Sequence, residues 1–354
     1  MDKNFEKELT EYIIQGEPKQ KEKSFLWETA IGLQDVDHLY PSEYLLQIAK
    51  EHIEGKIDID SVQTRIDSYY ETCTDPTTEE ADKVSARIVK ILGEKAFQFS
   101  PTELITIHKR LFEGILPHAG KIRNYNISKR EWILNGDTVI YSSYNNIYEI
   151  LEYDFKTEKS FSYKDLSLDK IIEHIVEFTS NIWQIHPFGE GNTRTTAIFI
   201  MKYLNTLGFK VGNEVFANHS WYFRNALVRA NYNDFSKGIH STNKYLILFF
   251  ENLMVNKNHE LKNRYLHMDY EAKMDNVNVG VKLTKKEQEV LAAIQKDNTV
   301  TASSIANQCQ VTTRTIERAI KSLKEKGLIE RVGSDKTGHW IIKMGGLDEK
   351  NNKK

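Results

Sequence analysis

Apolar residues recur at helical spacing on both sides of a short polar stretch at residues 186–194. That stretch reads His-Pro-Phe-Gly-Glu-Gly-Asn-Thr-Arg, and eight of its nine residues are polar, small or proline. The pattern predicts a loop between two buried helices, with residues 192–194 starting the second helix. The apolar positions before the loop are Ile171, Ile172, Ile175, Val176, Phe178, Ile182 and Trp183, and those after it are Ala197, Ile198, Phe199, Ile200, Met201, Leu204 and Leu207.

Helical patterns also fill the first part of the chain. Pro41-Ser42-Glu43 is a helix start signal, and Ser100-Pro101 is a second one that opens a predicted helix over residues 102–113. Between them, residues 57–70 and 77–92 each place apolar side chains on one face. We expect these side chains to pack in a core, and this part of the sequence indicates no site.

The middle of the chain predicts one β-hairpin and further helices. Residues 132–140 favour a hairpin because Asn135-Gly136 is a strong tight-turn signal. Residues 209–216 predict a short extended connection, and Ser220 is a candidate cap for the helix that follows. An apolar segment at residues 245–253 predicts the helix that closes this part.

The last part of the chain has a different order of elements. Helical patterns begin near residues 283, 301 and 312, and two short strands, 328–332 and 339–342, flank a glycine-bounded loop at residues 333–338. The whole sequence therefore predicts a mainly α-helical, multidomain protein. Its predicted parts are an N-terminal helical region (1–95), a core (96–256), a charged linker (257–281), a second module (282–344) and a polar tail (345–354).

Composition narrows the class of protein. The chain has 354 residues, enough for two or three domains. Its formal net charge of −2 gives no overall electrostatic attraction to nucleic acid or to membranes. Cys73 and Cys309 match no metal-ligand spacing, so we expect no disulfide and a reducing compartment. The N-terminus lacks an apolar signal core, and the apolar run at 245–250 is too short for a bilayer. We therefore expect a cytoplasmic protein without membrane contact.

The residues of the 186–194 loop suit phosphate chemistry. A helix start exposes unpaired N–H groups, Gly191 permits close approach of a phosphate, and Arg194 offers a fixed fork of donors. Glu190 is a candidate Mg²⁺ ligand, because this ion takes oxygen ligands and bridges to phosphates. His186 is a candidate base near neutral pH. The alternative is an ordinary turn with a solvated carboxylate.

At these residues the sequence resembles the core motif of Fic proteins, H-x-F-x-[DE]-G-N-G-R-x-x-R. His186, Phe188, Glu190, Gly191, Asn192 and Arg194 match the pattern, whereas Thr193 replaces its third glycine and Ala197 its final arginine. The resemblance implies a helical Fic core with a β-hairpin flap. The second module, which has its own resemblance, adds a small C-terminal winged-helix domain to the expected fold. It also implies transfer of AMP from ATP to a Ser, Thr or Tyr hydroxyl of a target protein, with Mg²⁺ and release of pyrophosphate.

The resemblance also implies roles for individual residues. His186 would be the catalytic base and Glu190 the metal ligand. The hairpin would lie over the loop and hold the target segment by strand addition, although a plain structural hairpin remains the alternative. Asn231 is either a nucleotide contact or a helix-terminal cap. The implied nucleotide-binding residues are Gly189, Glu190, Gly191, Asn192, Thr193, Arg194 and Asn231, and the implied flap residues are Ile133, Leu134, Thr138, Val139 and Ile140.

Some Fic proteins carry an inhibitory helix with the pattern [ST]-x-x-x-E-[GN], whose Glu pairs with the final arginine of the motif. No complete match is present, and the near match at residues 24–28 is followed by Thr29. Because Ala197 also removes the arginine partner, we expect no inhibition by this pair. Control is expected from the N-terminal helices, the second module or contacts in a homodimer.

The second module resembles a winged helix-turn-helix. Thr312, Thr313, Arg314 and Arg318 would lie on its recognition helix and contact DNA. Residues 311–343 contain eight Lys or Arg and four Asp or Glu, a local positive excess that suits phosphate contacts. A protein-interaction or dimerisation module is the alternative.

Two functions follow from these observations. In the first, the chain is a protein adenylyltransferase that uses ATP and Mg²⁺, and its second module has a regulatory or targeting role. In the second, it is a DNA-binding transcriptional regulator whose Fic core is degenerate or sensory. His186, Glu190 and Arg194 favour the first function, and the changes at Thr193 and Ala197 favour the second.

Overall fold

The chain divides into two compact units, Met1–Met268 and Asp269–Lys354. The predicted boundary between residues 95 and 96 falls inside the first unit. The predicted loop at 333–338 and the tail at 345–354 lie outside the described residues. The structure, a computed structural model, describes residues 18–209, 211, 213–235, 239–269, 284–296, 298–309, 311–325, 329–332 and 339–342.

Helices dominate the first unit, which confirms the mainly α-helical prediction. None of the described helices combines the length and apolar character needed to cross a bilayer. The helices are α1 (Pro18–Gly32), α2 (Glu43–Ile53), α3 (Ile59–Thr72), α4 (Glu79–Gly93), α5 (Pro101–Phe112), α6 (Ile147–Ser160), α7 (Leu168–Ile185), α8 (Asn192–Thr206), α9 (Asn213–Ala230) and α10 (Lys244–Val255). Short 3-10 helices lie at Leu33–Asp37, Pro76–Thr78, Trp132–Leu134, Tyr144–Asn146 and Asn263–Tyr265.

The predicted helix starts at Ser42 and Ser100 are confirmed. The Ser42 hydroxyl accepts a hydrogen bond from the backbone N–H of Leu45 at 3.0 Å, and that of Ser100 accepts from Glu103 at 3.1 Å. Each hydroxyl therefore satisfies one of the N–H groups that a helix start leaves unpaired. Ser42 also donates its own N–H to the buried Asp82 at 2.8 Å, which ties the start of α2 to α4.

Helix α8 lies at the centre of the first unit. Every side chain from Asn192 to Leu204 is buried, including the predicted apolar positions in that range, and the remaining one, Leu207, is half-buried. The helix contacts α4, α5, α7 and the 3-10 helix Leu33–Asp37. The loop before α8 is therefore held between elements from widely separated parts of the sequence.

The predicted hairpin over residues 132–140 is wrong as β-structure. Trp132–Leu134 is a 3-10 helix, and no strand is assigned to the described residues from 131 to 143. The tight turn is present, because Asn135 and Gly136 both have positive φ, 56° and 87°. The adjacent Ile133 and Leu134 are both buried, at 0% and 2% exposure. A strand would have placed them on opposite faces, so the core selects the 3-10 helix instead.

Helix α9 joins two helical segments across a kink, and the second segment begins at Ser220, where the sequence predicted a helix. Residues 213–216 are helical, so the extended connection predicted over 209–216 is wrong for them. His219 has non-helical angles, φ −136° and ψ 26°, which mark a kink. Ser220 does not cap a helix; its hydroxyl donates to the Gly32 carbonyl at 2.6 Å. Helices α1 and α9 touch here, because a Cβ on Gly32 would lie 2.2 Å from the Ala217 oxygen.

The second unit has the predicted elements. Its helices are α11 (Lys285–Lys296), α12 (Ala302–Gln308) and α13 (Thr313–Glu325), and its strands are β1 (Ile329–Val332) and β2 (His339–Ile342). The strands pair antiparallel with Ile329 opposite Ile342. Trp340 ties this pair to the segment between α11 and α12, since its indole N–H donates to the Val300 carbonyl at 3.0 Å. The core of this unit contains Val290, Ile294, Val300, Ile305, Ala306, Ile316, Ala319, Ile320, Leu323, Ile329 and Trp340.

Candidate active site

His186 follows the last residue of α7 and has a left-handed backbone, φ 51° and ψ 60°. Its Nδ1 lies 3.1 Å from the Trp183 carbonyl oxygen. A carbonyl can only accept, so Nδ1 carries the proton and Nε2 carries the lone pair. The buried Nε2 meets no hydrogen-bond partner among the described residues. The imidazole is therefore fixed in a tautomer whose free nitrogen can accept a proton.

The surroundings of His186 favour the neutral ring. Burial, with the positive charges of Lys129 and Arg224, holds the pKa of His186 well below its usual value. The ring also packs against Tyr141, with ring centroids 4.2 Å apart. A neutral imidazole at neutral pH is the form that a general base requires.

Arg123 holds the backbone of the loop in place through hydrogen bonds. Its Nε donates to the His186 carbonyl at 2.7 Å, and its backbone N–H donates to the Pro187 carbonyl at 2.9 Å. The same guanidinium reaches the carbonyls of Tyr125 and Ser142 at 2.6 and 2.5 Å. Its donors bind backbone oxygens of three segments, so Arg123 has a structural role at this site.

Asn192 pins the loop through its side chain. Its Oδ1 accepts from the Phe188 N–H at 3.0 Å, and its Nδ2 donates to the Phe188 carbonyl at 2.8 Å. Phe188 in turn stacks on His108, with ring centroids 3.7 Å apart. Phe188 is therefore packed in the core, and the amide of Asn192 holds the loop rather than facing open space.

His108 is a site residue that sequence reasoning missed. Its Nδ1 accepts from the Gly120 N–H at 2.8 Å, so its Nε2 donates to the Glu190 carbonyl at 3.1 Å. Burial lowers the pKa of His108 to about 4, which keeps this ring neutral. The available signal was a histidine within the apolar face of α5, beside Ile107.

Gly191 is required at the turn into α8. It caps the helix with a left-handed backbone, φ 72°. A Cβ at this position would lie 2.4 Å from the ring of Phe112, so both backbone and space demand glycine. Gly189 is also enclosed, since a Cβ there would lie 2.6 Å from the Tyr125 hydroxyl oxygen.

The start of α8 offers free donors. The Thr195 N–H bonds to the Gly191 carbonyl at 3.0 Å, but the N–H groups of residues 192–194 have no backbone or side-chain acceptor among the described residues. Thr193 uses its hydroxyl to accept from the indole of Trp183 at 2.9 Å, which links α8 to α7. These N–H groups form the kind of helix start that binds phosphate oxygens.

Glu190 is exposed at the tip of the loop. No group of three or more His, Cys, Asp or Glu side chains that could hold a metal is present among the described residues. A single carboxylate fits Mg²⁺, which commonly takes one or two carboxylates and completes its shell with water and substrate phosphates. Glu190 is therefore compatible with a metal that arrives with a nucleotide.

Arg194 does not face open space. Its Nη1 donates to Gln34 at 3.0 Å, and its Nη2 lies 2.6 Å from Glu80 and 2.8 Å from Asp37. The side chain is 3% exposed. These partners were missed because they lie far earlier in the chain and carry no motif. The guanidinium predicted for phosphate is held by two carboxylates of the first unit.

A second buried charge pair lies beside the base. Glu131 accepts from both Nη atoms of Arg224, at 2.6 and 3.1 Å, and from the Tyr141 hydroxyl at 3.5 Å. Lys129 is close to these charges, and burial is the main cause that lowers its pKa. Lys129 makes no ion pair within 4.0 Å with a carboxylate of the described residues. It is a cation beside His186 that sequence reasoning missed.

The predicted flap residues lie next to this pair, with their side chains mostly inside the core. Ile133, Leu134 and Val139 are buried, whereas Ile140 is 81% exposed. Gln184, the penultimate residue of α7, donates to the Ile140 carbonyl at 2.5 Å. Thr138 accepts from the Lys129 N–H at 3.1 Å. The segment is anchored beside His186, and its role in target binding stays a prediction.

Asn231 lies at the end of α9. Its Nδ2 donates to the Ser180 hydroxyl at 2.9 Å and to the Leu227 carbonyl at 2.9 Å. These bonds tie α9 to α7, in keeping with the helix-terminal alternative. A nucleotide contact by Asn231 stays a prediction.

On the second unit, Thr312 caps α13 through its hydroxyl, which accepts from the Thr315 N–H at 3.4 Å. Arg314, Arg318 and Lys321 are exposed on one side of that helix. The opposite side carries Ile316, Ala319, Ile320 and Leu323 in the core. The predicted DNA-contacting arginines therefore lie on a solvent-facing stripe.

Models of two known families match parts of the chain. The model of the Fic/DOC family matches residues 98–204, from just before α5 to the end of the buried part of α8. The chain carries a Fic domain. A model of an HTH domain matches residues 286–337 in the second unit. Gln34, Asp37 and Glu80, which hold Arg194, lie before the matched range of the Fic domain.

Three solved structures similar to this chain are Fic domains or Fic family proteins. The N-terminal Fic domain of a translocated effector from Bartonella sp. AR 15-3 is 21% identical, covering 50% of this chain and 82% of that one, with a TM-score of 0.39. A Fic family protein from Desulfovibrio desulfuricans G20 is 12% identical over 97% and 96%, with a TM-score of 0.45. The N-terminal Fic domain of an effector from Bartonella sp. 1-1C is 20% identical over 54% and 92%, with a TM-score of 0.41. No curated protein matches the chain.

Proposed function

We propose that this protein is an adenylyltransferase that moves AMP from ATP onto a hydroxyl of a target protein. One observation carries the proposal: the free Nε2 of His186 lies in the same short loop as the open N–H groups that start α8. A general base and phosphate-binding N–H groups within one short loop suit in-line transfer of a nucleotidyl group.

The transfer balances as follows. The target oxygen attacks the α-phosphorus and forms the new P–O bond. His186 takes the hydroxyl proton on Nε2, while Nδ1 keeps its bond to the Trp183 carbonyl. The bond from the α-phosphorus to the bridging oxygen breaks, and pyrophosphate leaves with that electron pair. Mg²⁺ held by Glu190 would supply neutralising charge to the phosphates.

Chain residues orient the nucleotide in this proposal. The N–H groups of 192–194 hold phosphate oxygens, and the Asn192 side chain keeps their geometry by pinning Phe188. The Fic motif ends in an arginine, and this chain has the fully buried Ala197 at that position. In this proposal Lys129 supplies a cation in place of that arginine. The target backbone lies against residues 138–142, which Gln184 fixes beside His186.

The test uses two labels. Incubation with ATP labelled on the α-phosphate should leave label on protein after denaturation, whereas ATP labelled on the γ-phosphate should not. Glu190→Gln should reduce the α-label strongly, and exposed Glu152→Gln serves as its matched control. Stable transfer of γ-label would identify a phosphoryl transfer instead and contradict the proposal.

Duplex DNA binding is a second candidate function, favoured by the HTH domain and the exposed stripe of Arg314, Arg318 and Lys321. Binding by the full chain should weaken steeply with salt, and Arg314→Ala should reduce the salt slope by about one. Exposed Arg65→Ala on α3 is the matched control. Absent or salt-insensitive binding would favour a protein-interaction module.

A further inference from the structure

Trp183 contacts both functional parts of the candidate site. Its carbonyl oxygen accepts from the His186 backbone N–H at 3.0 Å and lies 3.1 Å from the Nδ1 atom of that ring. Its indole N–H donates to the Thr193 hydroxyl oxygen at 2.9 Å. Trp183 lies on α7, and Thr193 is the second residue of α8. One residue therefore contacts the base and the helix start that offers free N–H groups.

The bond between Trp183 and Thr193 is buried at both ends. Trp183 is 1% exposed, and Thr193 is 7% exposed. An indole N–H can only donate, and a buried donor without an acceptor destabilises a fold. The glycine that the Fic motif has at position 193 would offer no side-chain acceptor. Thr193 therefore supplies the partner that the indole of this chain needs.

The same bond fixes the start of α8 relative to α7. Among the described residues, Thr193 makes the one side-chain hydrogen bond that links residues 192–195 to α7. The other side chains of that range bond to the loop, to the first turn of α8 or to residues before the Fic domain. Because His186 directly follows α7, the Thr193 bond sets how the first turn of α8 lies relative to the base.

The indole of Trp183 also packs on the base. Its ring centroid lies 5.1 Å from that of His186, with the planes at 88°, and 5.8 Å from that of Tyr141. Tyr141 covers the same imidazole, with centroids 4.2 Å apart. If the indole turned away from Thr193, the packing of His186 would change with it. The positions of Nε2 and of the phosphate-binding N–H groups therefore depend on one side chain.

We propose that Trp183 is a positioning residue, which holds His186 and the start of α8 at a fixed separation through its bond to Thr193. The proposal rests on the proposed function, because it assigns the two groups that Trp183 joins to one transfer reaction. In-line transfer depends on alignment, and a misplacement of about 1 Å can cost on the order of 10²-fold in rate. Thr193 then belongs to a working site, although it replaces a motif glycine.

The experiment compares kcat and the KM for ATP of α-label transfer in three variants. Trp183→Phe removes the indole N–H but keeps an aromatic ring and the backbone carbonyl, and Thr193→Val replaces only the hydroxyl. Each should lower kcat at least about tenfold and change the KM for ATP less than about threefold, because the N–H groups of 192–194 remain. Thr193→Ser, which keeps the hydroxyl, should stay within about threefold of the wild-type kcat.

Thr179→Val is the matched control for a purely structural role. Thr179 is a buried residue of α7 whose hydroxyl donates to the Ile175 carbonyl at 2.7 Å. The control should keep kcat within about twofold of wild type. Combining Trp183→Phe with Thr193→Val should slow transfer no further than the slower single variant, since both changes break one bond. Additive losses in kcat would overturn the proposal, as would a wild-type kcat in either folded single variant.

A second arm does not depend on AMP transfer. The indole N–H resonance of Trp183, one of five tryptophans, is assigned by its loss in Trp183→Phe. Mg·ATP should shift this resonance in wild type and in Thr193→Ser, and much less in Thr193→Val, because the hydroxyl carries the contact to α8. An unshifted wild-type resonance at roughly 10 mM Mg·ATP, or an equal shift in Thr193→Val, would overturn the proposal. If wild type transfers no α-label, the proposed function fails and this arm alone decides the role of Trp183.

Discussion

The guanidinium of Arg194 donates to Glu80 at 2.6 Å, across 114 positions of the sequence. Asp37 is a second carboxylate at 2.8 Å, and the ring of Phe112 lies 4.8 Å from the guanidinium carbon. Arg194, which is predicted to bind a phosphate, is thus held by residues before the matched domain. A nucleotide that uses Arg194 must compete with these carboxylates.

Glu80→Gln should therefore tighten ATP binding. The substitution removes one negative charge from Arg194 and leaves Asp37 as its counter-ion, so the guanidinium stays compensated. We expect the Kd for ATP to fall several-fold, up to the tenfold that ~1.4 kcal/mol represents. Titration in a His186→Ala background avoids turnover.

The matched control for Glu80 is Glu79→Gln. Glu79 is its neighbour on α4 but pairs with Lys83 at 2.7 Å. The control should leave the Kd for ATP near that of the parent protein. An unchanged or looser Kd in Glu80→Gln would show that these carboxylates position Arg194 without competing for it.

Lys129→Met should shift the pH dependence of transfer. The positive charge of Lys129 lowers the pKa of His186, so its removal makes protonation of the ring less unfavourable. The pKa of His186 then rises, and the acid limb of the rate profile should move to higher pH. Exposed Lys121→Met is the control and should leave the limb in place. A shift to lower pH would contradict the placement of Lys129 beside the base.

Gly191→Ala should damage the loop more than Gly208→Ala. Both glycines have positive φ, 72° and 88°, so alanine strains the backbone at each. A Cβ on residue 191 also meets the Phe112 ring at 2.4 Å, whereas residue 208 has nothing within 4 Å. We expect the free energy of unfolding to fall by at least ~1 kcal/mol more for Gly191→Ala, as overpacking usually gives. Equal losses in denaturant titrations would mean that Phe112 moves aside freely.

Glu28 should make the protein less stable as pH rises. Burial, with the charge of Glu214, raises the pKa of Glu28 from 4.5 to about 7. The folded state therefore binds this proton more tightly than the unfolded state, and that contribution is lost between the two values as pH increases. Glu28→Gln should raise the Tm at about pH 8 and change it less at about pH 5. A wild-type Tm that is higher at about pH 8 than at about pH 5 would contradict this expectation.

The same variant bears on inhibition. The near match to an inhibitory motif ends at Glu28, but the charged neighbour of Glu28 is Glu214 rather than the motif loop. Transfer by Glu28→Gln should stay within about threefold of wild type, well short of the tenfold change given by ~1.4 kcal/mol. Strong activation would show that this helix restrains the enzyme.

Local signals in the sequence predicted the parts of the fold that local interactions decide. Ser42 and Ser100 cap helices as predicted. The loop at 186–194 separates two buried helices as predicted, because Phe188 is its one large apolar side chain. Caps and periodicity depend on neighbours within a few residues. These signals also placed His186 at the end of α7 and Asn192 at the start of α8.

Long-range contacts decide what the sequence missed. Glu80 and Asp37 reach Arg194 only after α4 and the Leu33–Asp37 segment pack on α8. The hairpin prediction was wrong because both Ile133 and Leu134 entered the core, which a turn signal at Asn135 could not reveal. Tertiary packing overrides local preference at such positions.

The most direct test of the proposed transfer is the α-phosphate label on protein in wild type and His186→Ala. The variant should lose at least ~10²-fold in labelling, the contribution expected of a general base. It should still bind Mg·ATP within about threefold, since the N–H groups of α8 remain. Exposed His240→Ala should label like wild type. Near-wild-type labelling by folded His186→Ala would contradict the assignment of His186 as the base.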